Sequence, residues 1–285
     1  MEILQPDTLA EAVQLRAAHP GAAALAGGTD LMVELNFDRR RPGAILDLTR
    51  VPELTTWAPE DGRLRVGAGV TYTRLVDELG EQLPGLAIAS RTVGSLQIRN
   101  RGTVGGNLAT ASPAGDALPP LYTSGAVVEL ASVRGTRSVP VAEFVTGPKR
   151  TALAPDELIT AYTLPAAGGP QQFAKVGTRN AMVIAVCSFS VALWPEDRRV
   201  ATCIGSAGPT PLRAAEAESF IEGVLDEHGY WDGGGALPDV AVQRFGELAG
   251  QAASPIDDVR GTAAYRRHAL AVMARRTLRW VWAAR

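Results

Sequence analysis

The chain has 285 residues, 46% of them hydrophobic, and a formal charge of −2 from 28 basic and 30 acidic side chains. That size and balance suit a globular protein of two or three small domains and offer no general field for nucleic acid or anionic lipid. Cys187 and Cys203 are too few for an iron–sulfur cluster or a four-thiolate zinc site, and with no export signal or apolar run of membrane-spanning length in the sequence, a cytoplasmic protein with reduced thiols is expected.

Along the chain, Thr8 and Glu11 read as a capping box opening a helix that passes through Val13 and Leu15 and stops at Pro20-Gly21. Residues 22–26 then form a short buried strand, Gly27-Gly28 turn the chain, and Thr29-Asp30 cap a helix through Leu31, Met32 and Leu35. A strand over 44–48 completes a small α/β unit. A second region begins with a strand at 63–69 and a helix over 71–80; further on, 116–124 reads as helix and 126–131 and 157–164 as strands of a sheet expected to be mixed. Ala166-Ala-Gly-Gly-Pro170 is the best linker, small and turn-forming without an apolar anchor; with the end of the opening α/β unit it divides the chain into segments 1–56, 57–168 and 169–285.

The last segment opens with a strand at 172–176, a buried strand or helix over 183–193 and an apolar run at 200–206. Helices are expected over 212–227, 239–251 and from 262 to the terminus. The final one is amphipathic, and Arg266, Arg267, Arg275, Arg276 and Arg279 are read as a solvated or subunit-contact face. His228-Gly-Tyr-Trp-Asp-Gly-Gly-Gly235 reads as a turn-rich insert.

Two glycine-rich stretches carry the chemistry. In Leu25-Ala-Gly-Gly-Thr-Asp-Leu31, Gly27 and Gly28 permit positive φ and close backbone approach, and the amides of Thr29 to Leu31 can point at a diphosphate. In Arg101-Gly-Thr-Val-Gly-Gly-Asn-Leu-Ala-Thr110, Thr103 and Thr110 supply hydroxyls, Gly105 and Gly106 unobstructed amides, and Asn107 both a donor and an acceptor. Together they read as a two-loop cradle for a dinucleotide. Asp30 beside a diphosphate is a like charge, which capping its own helix would accommodate. Gly67-Ala-Gly69 lacks the third glycine of a nicotinamide fingerprint, since Tyr72 stands there, and the chain has no GxxxxGK[ST] loop. His19, His228 and His268 fall outside the glycine stretches, as do the cysteines, so a dinucleotide in the cradle is expected to be held noncovalently.

Ala26-Gly-Gly-Thr-Asp-Leu31, the run Gln97-Ile-Arg-Asn-Arg-Gly-Thr-Val-Gly-Gly-Asn-Leu-Ala-Thr-Ala-Ser-Pro-Ala-Gly-Asp116 and Asp258-Val-Arg-Gly-Thr-Ala-Ala-Tyr-Arg-Arg267 resemble the FAD-binding medium subunit of molybdenum hydroxylases, the carbon monoxide dehydrogenase and xanthine dehydrogenase family. The resemblance spans nearly the whole chain. It implies an α+β protein: a two-subdomain FAD-binding fold of the vanillyl-alcohol oxidase and MurB type, followed by a C-terminal α/β domain. It implies FAD extended between the subdomains, over Leu25, Ala26, Gly27, Gly28, Thr29, Asp30 and Leu31 and over Ile98, Gly102, Thr103, Gly105, Gly106, Asn107 and Thr110. By the same matching, Gly115 belongs to the cofactor site, Asp116 bonds a ribityl or ring-edge group, Leu158 and Ile159 lie against the flavin, and Lys175 sits near the ring as a cation able to stabilise negative charge.

The implied activity is electron transfer. A large molybdopterin subunit would oxidise the substrate and a small subunit with [2Fe–2S] clusters would feed electrons to this chain, giving a heterotrimer; reduced FAD would then discharge to NAD, oxygen, a quinone or another carrier. No catalytic acid or base and no metal ligand is assigned to this chain. The alternative is a self-sufficient flavin oxidase or reductase of the same fold, with Tyr122, Tyr162 or Tyr265 as the proton-handling group.

Overall fold

The computed structural model describes residues 1–166 and 168–285; Ala167, within the expected linker, lies outside them. The chain forms two units that interleave in sequence. Unit 1 holds Met1–Glu78, Ser95–Ser112 and Gly125–Pro165, and unit 2 holds Leu79–Gly94, Pro113–Ser124 and Ala166–Arg285. Segments 1–56, 57–168 and 169–285 are consecutive divisions, whereas in the structure stretches 79–94 and 113–124 join the later strands because their helices bury apolar faces there. Elements are numbered along the chain.

Unit 1 begins with a three-stranded parallel sheet of β1 (Glu2–Leu4), β2 (Ala23–Leu25) and β3 (Ala44–Asp47), in the order β1-β3-β2. Parallel neighbours need crossovers, supplied by α1 (Leu9–Ala18) and α2 (Leu31–Asn36). Thr8 Oγ1 caps α1 by accepting from Glu11 N at 3.2 Å, while Glu11 reaches back to the amide of Asp7 at 2.9 Å, one residue before the expected box partner. Leu4, Val13, Leu46, Val51 and Leu54 close an apolar core beneath these elements.

A second sheet of unit 1 joins β4 (Trp57–Glu60), β5 (Arg63–Gly67), β6 (Val127–Ser132), β7 (Gly135–Pro140) and β10 (Leu158–Pro165) in the order β4-β5-β10-β6-β7. It is antiparallel throughout, not mixed, because hairpin turns rather than crossover helices join β4 to β5 and β6 to β7. A small hairpin, β8 (Val145–Gly147) with β9 (Arg150–Thr151), follows α8 (Val141–Phe144). The remaining helices of unit 1 are α3 (Tyr72–Glu78), α5 (Leu96–Arg99) and α6 (Val104–Thr110). An isolated bridge between Thr71 and Thr103, with Tyr72 N donating to Gly102 O at 3.0 Å, sets the start of α6 beside the end of β5.

Unit 2 is built on an antiparallel sheet, β11 (Gln171–Val176), β12 (Cys187–Trp194) and β13 (Arg199–Gly205). All eight residues of β12 are buried, since helices cover both faces, and a strand covered on both faces reads as a continuous apolar run. Cys187, Phe189, Val191 and Leu193 join one core with α9 (Ala215–Glu227), α11 (Asp239–Gln251) and α12 (Ala263–Ala283). Against the sheet also lie α4 (Pro84–Arg91) and α7 (Leu118–Thr123), where Trp194 Nε1 donates to Thr123 O at 3.3 Å. The 228–235 insert contains a helical turn, α10 (Tyr230–Gly233), and is held by Trp282 Nε1 donating to Gly235 O at 2.8 Å.

The arginine face expected on α12 needs one correction. Arg266 is buried, paired with Asp258 at 2.5 Å and donating to Ser206 O at 2.8 Å. The turn of the late motif closes through mutual Asp258–Gly261 backbone bonds, and Thr262 caps α12 by accepting from Tyr265 N at 3.2 Å. Among the described residues no helix is long and apolar enough to cross a membrane.

Candidate functional site

Both glycine segments belong to unit 1, and they touch. A methyl group built on Gly27 would fall against the Arg101 carbonyl, 2.5 Å from its carbon and 2.9 Å from Gly102 Cα; only glycine lets the two backbones come this close. Gly28 takes φ +75° to turn the chain from β2 into α2. The amides of Thr29, Asp30 and Leu31 meet no protein acceptor among the described residues.

Asp30 departs from its expected role. Its side chain makes no capping bond, because the residue already has helical φ −101° and ψ −52°, whereas a side chain caps from extended backbone. Its Oδ2 instead accepts a 3.0 Å bond from Thr110 Oγ1, at the other end of the second glycine segment.

That second segment is largely helix. Thr103 caps α6, its Oγ1 accepting from Gly106 N at 2.9 Å. Two glycines weaken a helix by about 1 kcal/mol each, and at Gly105 the reason is close packing: an added Cβ would lie 2.6 Å from Ala68 Cβ and 2.8 Å from Ala68 Cα, just past β5. At Gly106 the same atom would meet only Thr103 Oγ1, at 3.1 Å. The protein's own packing therefore leaves Gly106 open on that side. The Gly106 amide is committed to Thr103, but that of Gly105 has no protein acceptor among the described residues. One turn on, Asn107 buries Oδ1 without a partner. Bare amides from two backbones, with an unpaired acceptor beside them, suit a ligand that is anionic in one part and hydroxylated in another.

The other expected residues of unit 1 divide. Ile98 is exposed on α5 and Gly102 is buried. Leu158 is 3% exposed and packs in the core with Leu4, Val13 and Ala131, so its side chain is engaged there; Ile159, its neighbour on β10, is 8% exposed. Tyr162 is fully buried with an unpaired hydroxyl, and burial holds its phenol far above the usual range.

Gly115, Asp116 and Lys175 belong to unit 2. Lys175 is a buried, fully engaged cation. Its Nζ donates to Asp116 Oδ2 at 2.5 Å, to Thr92 O at 2.9 Å and to Val183 O at 3.2 Å, and both charged side chains are more than nine-tenths buried. Burial holds the Asp116 carboxyl above its ordinary range against the pull of Lys175 and Thr92. Asp116 Oδ1 is buried without a partner, leaving a carboxylate lone pair for a hydroxyl or ring N–H donor. Toward Lys175, Thr92 and Val183 act through backbone carbonyls, which a sequence does not mark, while Thr92 Oγ1 also lies 3.4 Å from Asp116 Oδ2. Tyr122, also in unit 2, has its phenol pushed up by burial, which makes it, like Tyr162, a poor proton shuttle near neutral pH.

Comparison with known proteins agrees with this chemistry. Residues 1–167 match the model of the FAD binding domain in molybdopterin dehydrogenase, and residues 172–281 that of the CO dehydrogenase flavoprotein C-terminal domain. The nicotinate dehydrogenase FAD-subunit of Eubacterium barkeri is 34% identical over 78% of this chain and 79% of its own length. The xanthine dehydrogenase FAD-binding subunit of Escherichia coli O157:H7 is 35% identical over 75% of this chain and 77% of its own. Among solved structures, the carbon monoxide dehydrogenase of Hydrogenophaga pseudoflava superimposes with a TM-score of 0.87 at 28% identity, covering 100% of this chain and 98% of that one.

Proposed function

This chain belongs to the FAD-binding flavoprotein subunits of the molybdenum hydroxylases, and we propose that within such a complex it carries electrons from [2Fe–2S] clusters on a small partner subunit to an external acceptor. The molybdopterin and the substrate site belong, in this reading, to a large partner subunit, the assembly is a heterotrimer, and it works in the cytoplasm. NAD, oxygen, a quinone or another carrier completes the circuit.

The observation that carries this reading is the meeting of Gly27 with Arg101 and Gly102, which brings the unpaired amides of two distant segments into one cradle. A cradle lined by backbone takes a diphosphate without a basic side chain, in keeping with a chain whose net charge is −2. In unit 1, Gly27 to Leu31 and Thr103 to Asn107 would hold FAD. When bound, FAD supplies redox chemistry, accepting electrons singly and releasing them in pairs. Asn107 offers a buried acceptor for orientation, and no side chain of this chain moves a proton of the substrate. The self-sufficient oxidase is disfavoured at two of its three candidates, since Tyr122 and Tyr162 are held protonated by burial.

The test uses the complex and the isolated chain side by side. Substrate added to the complex bleaches the flavin absorbance, whereas the same compound leaves the isolated flavoprotein oxidised until a chemical reductant is supplied. Bleaching of the isolated chain by that substrate would transfer the substrate site to this subunit.

A further inference from the structure

We propose that Asp30 and Thr110 form a latch that holds the first glycine segment onto α6, making both positioning residues for FAD; the inference rests on the cradle reading above. The two ends of α6 are secured differently. At its start, Thr103 is bridged to Thr71 and Gly105 packs on Ala68. At its end, Ala111 stops the helix in left-handed backbone at φ +44° and accepts from Lys149 N at 2.9 Å. Thr110 lies in that last turn, three residues after Asn107, so the two share a helix face.

Besides the latch, the first segment is tied down by the buried Leu31 and by an ion pair of Glu34 with Lys149 at 3.6 Å, exposed on the lysine side. Of α2 only Leu31 is buried; Met32, Val33 and Phe37, the residue after it, are 44%, 46% and 69% exposed. The Gly27 contact fixes where the segment enters, but it leaves the direction of the following amides to the next restraint, which is the Asp30 Oδ2 to Thr110 Oγ1 bond at 3.0 Å. That bond also settles a polarity. A Thr110 hydroxyl that donates to Asp30 presents only its lone pairs to a ligand, so it serves a hydroxyl donor and not a phosphate oxygen.

In the free protein this exposed bond contributes little to stability, as exposed polar pairs do. Its effect is on cofactor release. Asp30→Ala and Thr110→Val are each expected to speed FAD release about five- to tenfold, the effect of one hydrogen bond of about 1 kcal/mol or slightly more. Release is followed by the rise of free-FAD fluorescence after dilution of the holoprotein. Thr110→Ser and Asp30→Asn, which keep the donor and the acceptor, release FAD at the wild-type rate, and the double variant Asp30→Ala/Thr110→Val is no faster than either single one. Wild-type release from either disruptive variant, or a multiplicative double variant, overturns the latch. Gly106→Val keeps the two failures apart: if it still binds FAD normally the cradle reading fails, and if it loses FAD while the latch variants behave as wild type only the latch fails.

Discussion

Gly27→Ala is the substitution through which the structure predicts most. The new methyl carbon would stand 2.5 Å from the Arg101 carbonyl carbon and 2.9 Å from Gly102 Cα. Restoring a separation of about 3.5 Å requires those backbone atoms to retreat by roughly 1 Å. Peptide backbone does not rotate away as a flexible side chain would, so the cost is that of overpacking, about 1–3 kcal/mol. For a chain of this size that lowers Tm by about 2–4 °C per kcal/mol. The same retreat parts the amides of Thr29 to Leu31 from that of Gly105, so flavin occupancy after purification falls at least about tenfold, as a 1.4 kcal/mol loss in binding requires. Melting curves and the flavin-to-protein absorbance ratio are compared with Gly21→Ala, whose added methyl meets nothing within 4 Å. A Gly27→Ala protein that melts and retains FAD as the Gly21 control does would refute the reasoning.

Gly106→Val should retain the fold, since the protein crowds that position only through Thr103 Oγ1, yet lose FAD; circular dichroism and bound flavin measured together check the two halves. Lys175→Ala strands a buried carboxylate and should cost about 3–5 kcal/mol at neutral pH, with Asp116→Asn in the same chain restoring most of it. Burial already holds the Asp116 carboxyl high, and without the lysine nothing charged opposes it. The folded variant then takes up a proton more readily than the unfolded chain, so its deficit shrinks as pH falls through the raised value and vanishes below the ordinary carboxyl range, which urea melts across acidic pH would show. Tyr162→Phe removes a buried hydroxyl with no partner and should leave Tm unchanged or raised, by an amount corresponding to about 1–3 kcal/mol; a marked fall would mean that the hydroxyl is engaged.

What the sequence revealed and what it hid divide along physical lines. The helices over 239–251 and from 262 onward follow from long patterned segments, whereas 183–193 stayed open between strand and helix because a strand covered on both faces, as β12 is, shows no alternation. Short elements did not announce themselves. β1 has three residues, two of them exposed, and β4 contains Pro59 at the sheet edge, so neither shows an alternating pattern. The glycines of Val104–Thr110 argue against a helix by propensity, and α6 forms because Gly105 must seat on Ala68, a contact between backbones that no spacing rule encodes. The parts of the cradle drawn from backbone amides were legible as glycine, threonine and asparagine. The side-chain partners were not: Asp30 was expected on its own helix and bonds Thr110, 80 residues away, and no feature of the sequence marked the bonds from Lys175 to Asp116 and two carbonyls. Partner choice of this kind depends on the tertiary meeting of segments, which local sequence does not carry.

The central claim is that this single chain holds one FAD, noncovalently, in the glycine cradle of unit 1. Denaturing the purified protein and measuring flavin in the protein-free filtrate tests it directly. The account predicts about one FAD released per chain and the same stoichiometry when the stripped chain is reloaded. A colourless chain that takes up no added FAD, or flavin that stays with the denatured polypeptide, would contradict it.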